Sequence, residues 1–147
     1  MSDGEALAFV DTNIFVYAVA GDADERADMA AKLIRQLVVG GRLRTSAQVL
    51  QEIFVTLTRK IERKLTPAAA LHYIEGVAEH PVVGVDFALM RAAIGLTMKA
   101  SISYWDALIV AAADRSGADI LYTEDLRHNQ KMLGVRIVNP FRKSVTQ

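Results

Sequence analysis

The chain has 147 residues, enough for one well-filled core and short for two, so a single domain spanning 1–147 is expected. Lys+Arg and Asp+Glu balance at 17 each, which excludes a global basic field as the means of holding nucleic acid, and any such contact must be local. The absence of cysteine excludes disulfides and thiolate metal sites and fits a reducing, cytoplasmic home.

The opening Met1-Ser-Asp-Gly-Glu5 lacks the basic and apolar regions of a secretory signal, and no apolar run approaches the roughly 18 to 20 residues that span a bilayer, so no membrane is expected. With Gly counted and Tyr left out, about 55% of the residues are apolar against a usual 45 to 50%. That surplus points to apolar surface covered by another copy or a partner.

Ala6 to Val10 is a short continuous apolar run, the pattern of a strand covered on both faces, and Asp11-Thr-Asn13 ends it. Ile14 to Ala20 begins a helix broken at Gly21. A second helix runs from Asp22 or Asp24 to Val39, with Met29, Leu33 and Leu37 at fourfold spacing and Gly40-Gly41 as its stop. Leu43 to Thr45 reads as a strand. Ser46 is then an N-cap for a helix through Lys64, with Val49, Leu50, Ile53, Phe54, Leu57 and Ile61 as its apolar stripe. Thr66-Pro67 opens a further helix that ends near His80-Pro81.

Val82 to Val85 is a strand, and Asp86 caps a helix over Phe87 to Lys99. Ser103 caps the next, to Ser116-Gly117. Asp119 to Thr123 is another strand, followed by a short helix, Gly134, and a last strand at Arg136 to Val138. Lys143 to Gln147 reads as a loose end. Strands alternating with single helices or helix pairs describe an α/β domain with right-handed crossovers and a mostly parallel sheet.

Four carboxylates lie in or beside these apolar segments, where an isolated ionised acid costs several kcal/mol to desolvate unless paired, capped or bound to a cation. Asp11 follows the first strand and Asp125 lies two residues beyond Thr123, so both face the carboxyl edge of the sheet, where open α/β sheets place their functional crevice. Either acid alone also reads as a turn former or cap. Glu52 sits on the second turn of the helix capped by Ser46, in a polar line with Gln48 and Thr56; its plain alternative is an exposed helix glutamate. Asp106 is the only charged residue from Tyr104 to Ala113, and Ser103-Tyr-Trp-Asp106 also matches a capping box. If all four converge, they form a cage for a hard divalent cation such as Mg²⁺ or Mn²⁺, with Thr12, Asn13 and Thr123 holding its waters or orienting the acids. Such a site suits phosphate chemistry.

Val10-Asp-Thr-Asn-Ile14, the helix Glu52, Ser103-Tyr-Trp-Asp-Ala-Leu-Ile109 and Leu121-Tyr-Thr-Glu-Asp-Leu126 together resemble PIN-domain nucleases, particularly the VapC-type ribonuclease toxins of toxin-antitoxin pairs. The likeness runs on through Val135-Arg-Ile-Val-Asn-Pro-Phe141. The resemblance implies a three-layer α/β/α sandwich with a mostly parallel central sheet, and a Mg²⁺- or Mn²⁺-dependent endoribonuclease. It implies Asp11, Glu52, Asp106 and Asp125 as metal-binding and catalytic acids, supported by Thr12 or Asn13 and by Thr123. Glu124 precedes Asp125 and competes with it for the metal; the carry-over favours Asp125. The same resemblance implies a homodimer, an RNA substrate and a small antitoxin that inserts into the groove.

Among the remaining features, Arg59/Arg63 and Lys60/Lys64 form two basic pairs at helical spacing that are candidates for guiding an RNA backbone, with a solvated face as the plain alternative. His128 is a candidate substrate contact, and Tyr17, Tyr104 and Trp105 are candidates for base stacking or for the core. Two alternatives stand beside the nuclease reading: another Mg²⁺-dependent phosphate-processing α/β enzyme such as a phosphatase, and a silent PIN-like domain that binds RNA or a partner. Asp11-Thr-Asn13 lacks the second acid of an aspartyl-phosphate motif, and the intact quartet speaks against silence.

Overall fold

The structure is a computed structural model describing residues 5–21 and 24–142. The opening tetrapeptide, Asp22 as a helix start, and the Lys143–Gln147 tail lie outside the described residues. The first strand, β1 (Ala8–Val10), is fully buried, as its unbroken apolar run requires. Asp11 caps α1 (Thr12–Ala20) through its side chain, and Gly21 ends it. Asp24 caps α2 (Glu25–Val39), whose exit turn passes through Gly41 at φ +66, a conformation open to glycine at no Cβ cost.

The chain returns through β2 (Leu43–Ser46) into α3 (Ala47–Val55), where the buried Ser46 hydroxyl accepts the Val49 amide at 3.3 Å. The helix expected through Lys64 stops at Lys60. Its last turn, Thr56–Lys60, is wound as a π-turn, the Ile61 amide bonding the Thr56 carbonyl at 3.2 Å. A local cause is visible: the Thr58 hydroxyl donates to the Phe54 carbonyl at 2.7 Å, competing with the regular ladder. Phe54, assigned to the apolar stripe, is 37% exposed.

Thr66 and Pro67 start α4 (Pro67–Val77) as their chemistry dictates. It is followed by a two-residue β3 (Val82–Val83), then α5 (Phe87–Lys99) and α6 (Tyr104–Arg115). Asp86 clasps this helix pair: its Oδ1 caps the Leu89 amide at 2.8 Å and accepts the Arg115 guanidinium at 2.8 Å. The short helix expected after β4 (Ile120–Tyr122) is absent. Bends lead instead to a hairpin, β5 (Lys131–Met132) and β6 (Val135–Val138), whose two-residue turn places Leu133 at φ +54. The Gly134 amide donates to Asp114 Oδ1 at 3.2 Å, and a Cβ there would stand only 3.0 Å from that oxygen.

The sheet order is β3-β2-β1-β4-β6-β5, parallel throughout except at β5–β6. α1 to α4 pack together on one face, while α5 and α6 cover the other, α6 lying against β2, β4 and β6. This is the three-layer α/β/α sandwich that the alternation of elements and the resemblance lead one to expect. Seven consecutive α6 residues, Ala107 to Ala113, are buried, so the helix is enclosed on all sides. With β1 between β2 and β4, the chain segments leaving three adjacent parallel strands emerge at one edge.

Candidate metal centre at the carboxyl edge of the sheet

Asp11 leaves β1, Glu52 lies one turn into the helix that leaves β2, and Asp125 follows β4. Asp106 sits in the first turn of α6, where the Ser103 hydroxyl accepts its amide at 3.1 Å. That bond is one half of a capping box; none of the described hydrogen bonds engages the Asp106 carboxylate in the reciprocal half. The Asp125 carboxylate likewise accepts no described hydrogen bond.

The other two acids are held firmly. Asp11 Oδ1 accepts the Thr12 amide at 2.7 Å and Oδ2 accepts the Thr123 hydroxyl at 2.8 Å. Thr123 Oγ1 in turn accepts the Asp125 amide at 3.1 Å, so one hydroxyl ties the first and last acids together. Glu52 is oriented from both sides, by the Thr12 hydroxyl at 3.0 Å on Oε2 and by Gln48 Nε2 at 2.9 Å on Oε1. The same Gln48 nitrogen donates to the Trp105 carbonyl at 3.2 Å, linking α3 to the turn that carries Asp106.

Electrostatics tie the group together. Burial raises the Asp11 carboxyl to about 6; the Thr12 and Thr123 hydrogen bonds pull it back, while Asp125 and Glu52 push it further up. Asp125 is also raised, first by partial desolvation and then by Asp106, Glu124 and Glu52. Asp125 is exposed as a residue, so for it the neighbouring charges carry more of the argument than burial does. Ion pairs between described side chains join Arg26 to Asp24 and Glu124, and Arg115 to Asp86, leaving the four acids without a cationic partner among the described residues.

Glu124 points elsewhere. Its Oε1 accepts the Tyr17 phenol at 2.7 Å, and Arg26, stacked 4.7 Å over the Tyr17 ring, donates to the same phenol oxygen at 3.0 Å. Tyr17 also meets Phe141 edge-on at 5.2 Å. Tyr17, considered for base stacking, is thus engaged within the protein, whereas Trp105 is 65% exposed beside Asp106. His128 Nδ1 accepts the Asn139 amide at 3.1 Å. Thr12, Asn13, Glu52, Thr56, Lys60 and Asp125 line a cleft of about 460 Å³. Arg63 and Lys64 fall beyond the end of the π-turn, so the expected helical pairing with Arg59 and Lys60 does not form. Gln48 and the Tyr17–Glu124 contact are the features that sequence reasoning missed. Gln48 lay in the polar line with Glu52, but its reach to α6 had no sequence signal.

Among the described residues, no three Asp, Glu or His side chains close on one point as a preformed direct cage. The donor set fits a hard cation that keeps several waters: oxygen ligands only, two carboxylates without protein donors, and mutual repulsion lacking a counter-charge.

The family model described as PIN domain matches residues 8–131, which contain all four acids. The chain belongs to the PIN domain family. No curated protein matches it. Several solved structures share the PIN fold with it. Mycobacterium tuberculosis VapC20, described as a sarcin-ricin-loop-cleaving toxin, is 20% identical with a TM-score of 0.59, over 80% of this chain and 89% of that one. VapBC2 from Rickettsia felis, bound to a fragment of promoter DNA, is 15% identical with a TM-score of 0.64, over 88% and 96%. DNA-bound VapBC from Salmonella typhimurium is 18% identical with a TM-score of 0.61, over 90% and 96%. At these identities the likeness establishes the fold of this PIN domain and nothing finer.

Proposed function

We propose that the protein is a metal-dependent endoribonuclease hydrolysing RNA phosphodiester bonds, and that it is the toxin of a toxin-antitoxin pair. The observation that carries the reading is the uncompensated charge at the sheet edge of a PIN domain chain: burial and then Asp125 and Glu52 raise the proton affinity of Asp11, and burial and then Asp106, Glu124 and Glu52 raise that of Asp125, with no ion pair to the four acids among the described residues. Asp11, Glu52, Asp106 and Asp125 would hold Mg²⁺ or Mn²⁺. When bound, the ion screens the phosphate, polarises a phosphoryl oxygen and lowers the pKa of a water that attacks in line.

The chain's own residues supply the geometry. Thr123 fixes Asp11 and the Asp125 amide together, and Thr12 with Gln48 fixes both oxygens of Glu52, so the acids are oriented before substrate arrives. Lys60 lines the same cleft as Asp125 and offers a local positive charge to the RNA backbone that the neutral chain lacks globally. Arg59, exposed on the same turn, is a second such contact, while Arg63 and His128 are weaker ones. The VapC and VapBC neighbours support the toxin assignment and a small antitoxin as partner. A second copy of the chain is a further partner, since Phe87, Met90, Ile94 and Met98 leave an apolar stripe exposed along α5. No helix in the described residues is long and apolar enough to cross a membrane, and a cytoplasmic home follows from this reading.

The test is cleavage of mixed RNAs by purified protein with Mg²⁺ or Mn²⁺ and with EDTA, beside Asp11→Asn and Asp106→Asn. Cleavage should require the ion, and each variant should lose at least about a hundredfold in rate. Cleavage persisting in EDTA or in both variants sinks the mechanism. Phosphate release from a small ester without RNA cleavage would mark a phosphatase, and RNA binding without turnover a silent domain.

A further inference from the structure

Two clefts meet at Asp125. Asp125 lines both: the cleft shared with Thr12, Glu52 and Lys60, and a second of about 440 Å³, which Asp106 also lines. The second volume falls in the range of roughly 300 to 1,000 Å³ usual for small-ligand sites. Its walls come from the α5–α6 connection and the loop after β4. Ile102, Leu126 and Met132 supply apolar surface, while Ser101, Arg127 and Gln130 supply polar groups. None of the described hydrogen bonds or ion pairs engages the Arg127 guanidinium, which leaves it available in a cleft that otherwise contains two acids.

We propose that this second cleft is a nucleotide subsite for the RNA, taking the nucleotide on the opposite side of the scissile phosphate from Lys60. The inference rests on the endoribonuclease reading above. A phosphodiester held at Asp106 and Asp125 has one flanking nucleotide on each side, and the two clefts offer one cation to each: Lys60 in the first, Arg127 in the second. Arg127 meets the outer phosphate of that nucleotide, matching a planar fork to phosphate oxygens. The base rests against Ile102, Leu126 and Met132. Asp125 lines both clefts, so the two lie next to each other along the path proposed for a single strand.

The test is a neutral-linkage scan. Short single-stranded RNAs, each carrying one methylphosphonate at a successive position, are titrated against the wild type, Arg127→Ala and Lys60→Ala by fluorescence anisotropy in Ca²⁺. Cleavage of the same RNAs is followed separately in Mg²⁺ and Mn²⁺. In the wild type one linkage beside the scissile bond should weaken binding by about tenfold when neutralised. Arg127→Ala should abolish the effect of that linkage alone, and Lys60→Ala should leave it intact while abolishing one on the other side. Ser101→Trp, which fills the cleft mouth from an exposed loop position, should weaken binding of every RNA that extends past that linkage and spare those that end before it. Effects of Arg127→Ala and each neutral linkage that simply multiply at every position overturn the subsite. Binding that follows the expected pattern without cleavage overturns the endoribonuclease reading and leaves the subsite standing; no RNA binding by the wild type overturns both.

Discussion

Burial and neighbouring acids act in the same direction on Asp11, and the consequence for stability has the opposite sign from that of most carboxylates. Its ordinary value is 3.8 and its folded value about 6, so between those limits the folded chain keeps a proton that the unfolded chain releases. The contribution is fully present below about pH 4 and lost as pH rises through 6, on the order of 3 kcal/mol. In EDTA, Asp11→Asn should therefore melt higher than the wild type at pH 7.5, by about 1 to 3 kcal/mol of stability, because Asn keeps the helix cap without the buried charge. The gap should close as pH falls to 4; a gap that is constant or widens on acidification contradicts the assignment. Tyr17→Phe should cost about 1 kcal/mol by chemical denaturation, since Glu124 loses its phenol donor while the edge contact with Phe141 survives. Asp11 and Asp106 were legible in the sequence because each interrupts or ends an apolar segment. Gln48 and Tyr17 were not, because their partners Trp105 and Glu124 lie 57 and 107 positions away and only the fold brings them near.

At the scale of elements, the caps Ser46, Thr66, Asp86 and Ser103 marked four helix starts among the described residues, Asp24 was one of two candidates for a fifth, and the first helix was read from its apolar run at Ile14 although Asp11 caps it at Thr12. What escaped was where local chemistry is ambiguous. The π-turn was hidden because Leu57 and Ile61 continue the helical stripe, and the β5–β6 hairpin because leucine occupies the positive-φ turn position that Asn or Gly usually signals. The π-turn carries Arg59 and Lys60, the proposed contacts to the RNA backbone. Lys60→Ala should weaken RNA binding and reduce the slope of log affinity against log salt by about 0.7, with the melting temperature unchanged. In β2, Thr45 Oγ1 is buried with no partner among the described residues. Thr45→Val, nearly equal in shape, should be neutral or stabilising by up to about 1 kcal/mol in denaturant unfolding; a loss above that would mean the hydroxyl is satisfied by buried water.

For the whole molecule, the exposed α5 stripe is the surface on which the proposed dimer would form. Phe87 and Met98 are 71% and 80% exposed at either end of the helix, with Met90 and Ile94 between them on the same face. Phe87→Glu combined with Met98→Glu should shift the protein from dimer to monomer in light scattering without lowering the monomer's helix content; a wild type that is monomeric at high micromolar concentration would remove this reading. The sheet order has another consequence, for the timing of synthesis. β1, β2 and β3 and the helices between them are complete by Val83, whereas β4 docks on the other side of β1 only after Tyr122 has been made. A ribosome that has released the first hundred residues has therefore produced Asp11 and Glu52 beside a bare, apolar strand edge, and neither of the other acids. On the endoribonuclease reading, the four acids stand together only once β4 has closed against β1, so a nascent chain released to its first hundred residues should not yet cleave the RNA of the ribosome that is making it.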